Sequence, residues 1–268
     1  MQFKNEELEF IDALVEKIDP WSPAVFYIHA ILNAKPLNDV IDFYLNRRSL
    51  IKQFESNIMR RLSEKPPVDT LFPEILNELE KSDYIKRCRI RNIIVAMERH
   101  LTADQLQECF TVFINNKYIY EVNAALKIAP KIWDEYIEDK LRRLFEINHN
   151  PNIIECFVAA DKFDFLNEII EVVWKGNSSF QIKKYFFRHF EKFDFRTLMF
   201  LEHCDPYNFL KAAFIHGKKL PHGKVQSIFD NITSRETKTF AVGLLSKMGH
   251  FDVVMPHIKD YLYNEPVY

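Results

Sequence analysis

The sequence predicts an all-α fold, a right-handed superhelix of about eight stacked helix pairs that follows an N-terminal capping helix. Two observations lead to this prediction. The chain holds only 5 Gly in 268 residues, and no stretch of strand length alternates Val, Ile or Thr with polar residues. In addition, a helix–turn–helix layout recurs with a period of about 30 residues, which is typical of stacked repeats whose apolar faces are covered only by their neighbours.

The N-terminal segment is predicted to form the capping helix. Over residues 6–18 the apolar side chains recur at helical spacing, and Asp19-Pro20 then ends the helix. The glutamates of this segment supply the polar outer face that a terminal repeat needs. We therefore assign residues 1–20 to the cap, 21–263 to the repeats and 264–268 to a tail, all within a single domain of residues 1–268.

Each helix pair is divided by a turn centred on Pro, Phe or Leu. Ser22-Pro23 begins the first pair, because Ser is a good N-cap residue and Pro suits the first helical position. The turn centres are 28 to 35 residues apart, at Pro36, Pro66, Leu101, Pro130, Phe163, Phe193, Pro221 and Phe251. The paired helices are expected at residues 23–34 and 37–46, 50–63 and 71–79, 84–98 and 103–113, 118–128 and 132–145, 153–160 and 165–174, 180–190 and 195–203, 207–216 and 223–232, and 237–248 and 253–262.

The segments KMGHFDVVMPHIKDYL and AADKFDFLNEIIEVVW resemble HEAT-like repeats of the short kind, with a period of roughly 30 residues. In that family a first helix rich in small residues, a tight turn with Asp or Pro, and a Leu/Ile-rich second helix recur. The resemblance spans nearly the whole chain, although the family's frequent Gly-Asp-Pro turn is absent and only Gly249 keeps a turn glycine. It implies the superhelical fold, and it favours a protein-binding scaffold because most HEAT-like proteins are scaffolds.

Composition narrows the possible functions. A hydrophobic fraction of 47% is enough for a continuous core, and 24 Phe and 11 Tyr predict that large rings fill the gaps between helices. The formal net charge of -2 argues against nucleic acid as a ligand, because phosphate binding needs clustered, uncompensated cations. No signal peptide and no apolar run of membrane-spanning length is recognisable, so we expect a cytoplasmic protein without a membrane partner.

No catalytic motif is recognisable, whether P-loop, G-x-G-x-x-G, H-E-x-x-H or G-x-S-x-G, which favours a non-catalytic protein over an enzyme, and we expect no cofactor. The histidines lack the spacing of metal ligands, and we expect no metal site. The cysteines make no C-x-x-C pair and are interpreted as buried, reduced thiols; they are Cys88, Cys109, Cys156 and Cys204.

Carboxylates recur at similar positions of the second helices. Six to eight residues after the first five turn centres stand Asp42, Glu74, Glu108, Glu138 and Glu171. Asp134 and Glu168 lie one turn earlier. Stacking would align them in an acidic ladder on the concave wall, which is either an ordinary solvated face or a groove for a basic segment of a protein or peptide partner. The candidate partner-binding residues are Glu74, Glu108, Asp134, Glu138, Glu168 and Glu171.

A second candidate site is aromatic. Trp133, Asp134 and Tyr136, with Trp174 one repeat later, combine rings with a carboxylate, as some HEAT-like DNA glycosylases do when they bind an extruded base. The other interpretation is that both tryptophans pack between adjacent repeats. A nucleic-acid-binding or DNA-repair enzyme is therefore the alternative to the favoured function, a non-catalytic scaffold that binds a partner along its concave surface.

Two further expectations concern single helices. The helix at residues 84–98 is the most basic, and its cations Lys86, Arg87, Arg89 and Arg91 are spread around it. This distribution favours a solvated outer helix over a stripe for nucleic acid. In the fifth second helix, Ile169 is expected to be a core residue.

Overall fold

The computed structural model describes residues 23–46, 51–176 and 179–264, together with residues 4, 6, 7, 9–11 and 13. Over these residues the regular structure is helical throughout and contains no strand, so the all-α prediction is confirmed. The chain divides into two compact units, Met1–Asp134 and Glu135–Tyr268. The boundary falls near the start of the predicted second helix of the fourth pair, residues 132–145. Whether the chain behaves as one domain stays a prediction.

Seven helices make up the described part of the first unit from residue 23 onward. They are α1 (Ala24–Ala34), α2 (Leu37–Asn46), α3 (Ile51–Glu64), α4 (Val68–Lys81), α5 (Tyr84–Met97), α6 (Ala103–Ile114) and α7 (Ile119–Ile128). Short 3-10 turns follow α5 and α7, at Glu98–His100 and Ala129–Lys131. The first helices of successive predicted pairs pack on one another, α1 on α3, α3 on α5 and α5 on α7.

Local sequence explains where these helices begin. Thr102 and Gln105 form a capping box at the start of α6, in which each side chain accepts a hydrogen bond from the other residue's backbone N–H. The Asp83 carboxylate accepts from the Lys86 N–H at the start of α5. Of the predicted capping helix, residues 6, 7, 9–11 and 13 are helical and Ile11 is fully buried; the rest of that prediction lies outside the described residues.

The basic helix α5 is not a solvated outer helix, and that interpretation is wrong. Arg89 is only 7% exposed, and its Nη1 donates to the carbonyl oxygens of Tyr44 and Leu45 at 2.9 and 3.2 Å. These carbonyls belong to the last turn of α2, where a cation is favourable because the helix dipole is negative there. Arg87 pairs with Glu121 of α7. Arg87 and Arg89 therefore bind neighbouring helices rather than facing solvent.

Nine helices make up the second unit. They are α8 (Glu135–Asn148), α9 (Pro151–Ala159), α10 (Phe163–Val173), α11 (Ser179–Arg188), α12 (Phe195–Cys204), α13 (Pro206–Ile215), α14 (His222–Asp230), α15 (Arg235–Lys247) and α16 (Phe251–Asn264) within the described residues. First helices again pack on first helices, α9 on α11, α11 on α13 and α13 on α15, while α10 packs on α12 and α14 on α16. Gly249 takes a φ of +84° after α15, which explains the glycine at this turn.

Aromatic rings fill the core of the second unit, as the composition predicts. Phe186 is fully buried, and its ring centroid lies 5.3 Å from that of Phe193, 5.4 Å from Phe190 and 5.5 Å from Trp174. These rings come from α11, from the segment that follows it and from the end of α10. Tilted and edge-on ring pairs of this kind stabilise a core beyond the area they bury.

The predicted inward face of α10 is off by one residue. Ile170 is fully buried, whereas Ile169 is partly exposed and is not a core residue. One position along an α-helix rotates a side chain by about 100°. An uninterrupted apolar pair such as Ile169-Ile170 does not reveal from periodicity which member faces inward, and the neighbouring helices decide it.

Candidate interaction surfaces

Two adjacent depressions lie on the second helices of the first unit. The first runs between α2 and α4, with an apolar floor and an acidic rim; it is lined by Asn38, Ile41, Asp42, Leu45, Asn46, Leu71, Glu74, Ile75, Glu78 and Lys86. The second lies between α4 and α6 and is lined by Phe72, Pro73, Leu76, Asn77, Glu108 and Val112. Because α4 borders both, we consider the two depressions together and call them the acidic groove.

The carboxylates of the acidic groove differ in what they bind. Glu78 is paired with Lys86 at 2.7 Å, and Asp42 accepts a hydrogen bond from Asn46. Glu74 and Glu108 are exposed and have neither an ion pair nor a hydrogen bond to any residue in the described ranges. The predicted residues Glu74 and Glu108 therefore carry negative charge beside apolar surface, and no cation in the described ranges compensates it.

The predicted carboxylates of the second unit are compensated internally. Arg142 of α8 is hydrogen-bonded to Glu138 at 3.0 Å and to Glu168 of α10 at 2.5 Å, and Lys162 lies 3.5 Å from Glu138. Burial acts to lower the pKa of Arg142, but the hydrogen bonds that Arg142 donates to Glu168 and Glu138 outweigh burial and raise that pKa. Glu171 lies 3.3 Å from Arg196 of α12.

These contacts belong to a series of ion pairs and one histidine–carboxylate contact that joins successive second helices. After Glu171–Arg196, which links α10 to α12, Glu202 pairs with Lys224 at 2.6 Å and links α12 to α14. His222 Nδ1 then lies 3.0 Å from Asp252, between α14 and α16. In the second unit the predicted acidic ladder is thus a run of alternating charges. The spacing of four residues between Glu138 and Arg142, which suits an ion pair within one helix, was the signal in the sequence that Glu138 is compensated.

Not every aromatic ring of the predicted base-binding pocket is exposed to solvent. Trp174 is 1% exposed, its Nε1 donates to Asp205 Oδ2 at 3.0 Å, and Lys183 Nζ lies 5.1 Å from its ring centroid. Both faces of the ring are covered by protein, so Trp174 offers no stacking surface to a base. Its role is the alternative one, packing between adjacent helices of the second unit.

The other members of that pocket lie on either side of the boundary between the units. Trp133 is half-buried and Asp134 is exposed, and both belong to the first unit. Tyr136 is 50% exposed on α8 and belongs to the second unit. Within the described residues no group of His, Cys, Asp or Glu has an arrangement that holds a metal ion.

Sequence reasoning missed a cluster of aromatic and apolar side chains near the starts of α5 and α7. The exposed fractions of Tyr84, Ile85, Ile119 and Tyr120 are 45%, 46%, 54% and 55%. The ring of Tyr118, which is half-buried, lies 5.1 Å from that of Tyr84. We call these five residues the tyrosine patch. The repetition of Tyr-Ile at the two helix starts was the signal in the sequence.

The cysteines are free thiols, of which Cys109 and Cys156 are buried and Cys88 and Cys204 are half-buried. Burial raises the pKa of Cys109 and of Cys156 to about 12.

We expect both thiols to stay protonated and unreactive toward iodoacetamide in the folded protein at about pH 8, because only the thiolate reacts. Mass spectrometry after brief alkylation measures this, with the urea-unfolded chain as the control. Rapid labelling of either residue in the folded protein would contradict its placement.

None of the described helices has both the length and the apolar character that crossing a bilayer requires.

Comparison of the chain with protein-family models, with curated protein sequences and with solved structures found no match.

Proposed function

We propose that this chain is a cytoplasmic, non-catalytic scaffold of HEAT-like helix pairs, and that it binds a basic segment of a partner protein on the second helices of its first unit. The packing of first helix on first helix within each unit supports the repeat arrangement. In such an arrangement equivalent helices present equivalent positions to one side, so a long ligand gains a few contacts from each pair.

The observation that carries the proposal is the acidic groove. Glu74 and Glu108 stand beside apolar surface in neighbouring depressions, and the described part of the chain supplies no cation to either. In the second unit, by contrast, cations of the same chain bind Glu138, Glu168 and Glu171. Two carboxylates that lack a cation among the described residues, beside an apolar floor, are complementary to a segment that carries both Lys or Arg and apolar side chains.

The experiment is a selection of random phage-displayed peptides on the immobilised full-length protein, followed by fluorescence anisotropy with synthetic labelled copies of the selected peptides. We expect a class of peptides that combines basic with apolar residues. The double substitution Glu74→Lys/Glu108→Lys should weaken the binding of this class at least about tenfold and reduce its salt dependence, because charge complementarity governs association.

The control is Glu146→Lys/Glu236→Lys, which changes the net charge equally at exposed carboxylates of α8 and α15 in the second unit. This variant should bind the basic peptides within about twofold of the wild type, because neither residue lines the acidic groove. Equal losses in both variants, or a selection without a basic class, would contradict the proposed function.

A further inference from the structure

We propose that the tyrosine patch is a second docking surface, and that its ligand is an acidic segment of a partner protein with aromatic or aliphatic side chains among its carboxylates. The patch lies on the starts of the first helices α5 and α7, whereas the acidic groove lies on α2, α4 and α6. The two surfaces therefore use different residues and carry opposite charge.

Two cations accompany the rings of the patch. Arg91 Cζ lies 5.6 Å from the ring centroid of Tyr120, and Lys117 Nζ lies 5.3 Å from that of Tyr118. Both distances are within the range of a cation–π contact. Such contacts hold the charged groups over the aromatic faces, so that an incoming carboxylate meets a positive charge and a ring together.

No carboxylate in the described ranges neutralises these cations. The hydrogen bonds of Arg91 go to Asn92 Oδ1, a neutral acceptor, at 2.6 and 3.1 Å, and Lys117 has no ion pair within the same ranges. The nearest acid in sequence, Glu121, is bound by Arg87 at 2.7 Å and is only 3% exposed. The positive charge at the patch is therefore available to a ligand.

The composition of the patch favours a protein ligand. Tyr and Arg are the residues that most often dominate the binding energy of protein interfaces, and exposed Ile85 and Ile119 add apolar area that a phosphate backbone does not use. Nucleic acid is bound by grooves in which several cations follow the backbone. Here two cations flank four exposed apolar and aromatic side chains, which suits alternating acidic and apolar residues of a peptide.

The test uses the same peptide selection on the full-length protein. We expect a second class of peptides, rich in Asp or Glu together with Phe, Leu or Ile. Arg91→Glu/Lys117→Glu should weaken the binding of this class at least about tenfold, and Ile119→Ser/Tyr120→Ser, which leaves every charge in place, should weaken it as well. Glu74→Lys/Glu108→Lys should leave the binding of this acidic class unchanged. The two proposed surfaces are therefore tested independently of each other.

The matched control is Arg99→Glu/Lys127→Glu, which makes the same charge change at exposed residues of the first unit outside the patch. Circular dichroism establishes that each variant keeps its helix content. The proposal is overturned if no acidic class is selected, or if the control variant loses as much affinity as Arg91→Glu/Lys117→Glu. It is also overturned if a single-stranded oligouridine binds through the patch at about 0.15 M salt, because the ligand would then be nucleic acid.

Discussion

Replacing Ile170 with alanine is expected to lower the free energy of unfolding of the second unit by about 2 to 5 kcal/mol, the range measured for truncating buried Leu, Ile and Met side chains. Ile170 is fully buried on α10, which packs against α9, α11 and α12. Truncation would leave a cavity among the packed helices. The expected loss spans a range because it depends on how far the surrounding side chains relax into that cavity. Chemical denaturation followed by far-UV circular dichroism measures the loss.

The control lies one position away in the same helix. Ile169→Ala makes the same chemical change at a partly exposed position and should cost no more than about 1 kcal/mol, since it removes less apolar area from the interior. Equal costs for the two substitutions, or a larger cost at Ile169, would mean that α10 is rotated relative to the arrangement described.

Replacing Glu121 with alanine is expected to destabilise the first unit by about 3 to 5 kcal/mol, the cost of removing one partner of a buried ion pair. Arg87 Nε and Nη2 donate to the two oxygens of Glu121 at 2.9 and 2.7 Å, and the side chains are 13% and 4% exposed. The hydrogen bond to Glu121 raises the pKa of Arg87, so the guanidinium stays charged. Without Glu121 it keeps only the Leu79 carbonyl as a hydrogen-bond partner among the contacts described.

A double substitution separates the cost of the unpaired charge from the value of the pair itself. Arg87→Met/Glu121→Leu removes both charges and keeps apolar volume, and it should be much closer to wild-type stability than Glu121→Ala, because burying an ion pair costs nearly as much as its attraction returns. Urea denaturation of the three proteins makes the comparison. A double variant as unstable as Glu121→Ala would show that the loss arises from packing and not from the stranded guanidinium.

Helix positions followed from local sequence to a large extent. The second helix of the first pair was expected at residues 37–46 and is found at Leu37–Asn46, because Pro36 and the apolar spacing specify both its start and its face. The fourth second helix was expected from residue 132 and begins at Glu135, since a 3-10 turn at Ala129–Lys131 and Trp133-Asp134 precede it. Boundaries of this kind depend on backbone hydrogen bonds that composition alone does not specify.

Charge partners depended on the tertiary structure. Arg142 and Glu168 are 26 positions apart, and Arg89 reaches carbonyls 44 and 45 positions away. A carboxylate has the same sequence signature whether it faces solvent, as Glu108 does, or binds a cation of the next helix, as Glu171 does. The predicted acidic residues therefore divide into two groups that only the packing of helices distinguishes.

By itself the sequence determined the helical class and the approximate extent of each helix in the described ranges, because both depend on periodicity, capping and turn residues that lie within a few positions of one another. Only the tertiary structure decided that Ile170 and not Ile169 faces inward, that Trp174 is covered, and that no cation among the residues the structure describes pairs with Glu74 or Glu108. These properties depend on the rotation of each helix about its axis and on which side chains of neighbouring helices lie within about 4 Å of its own. Both the rotation and the neighbouring side chains are determined by residues that are distant in sequence.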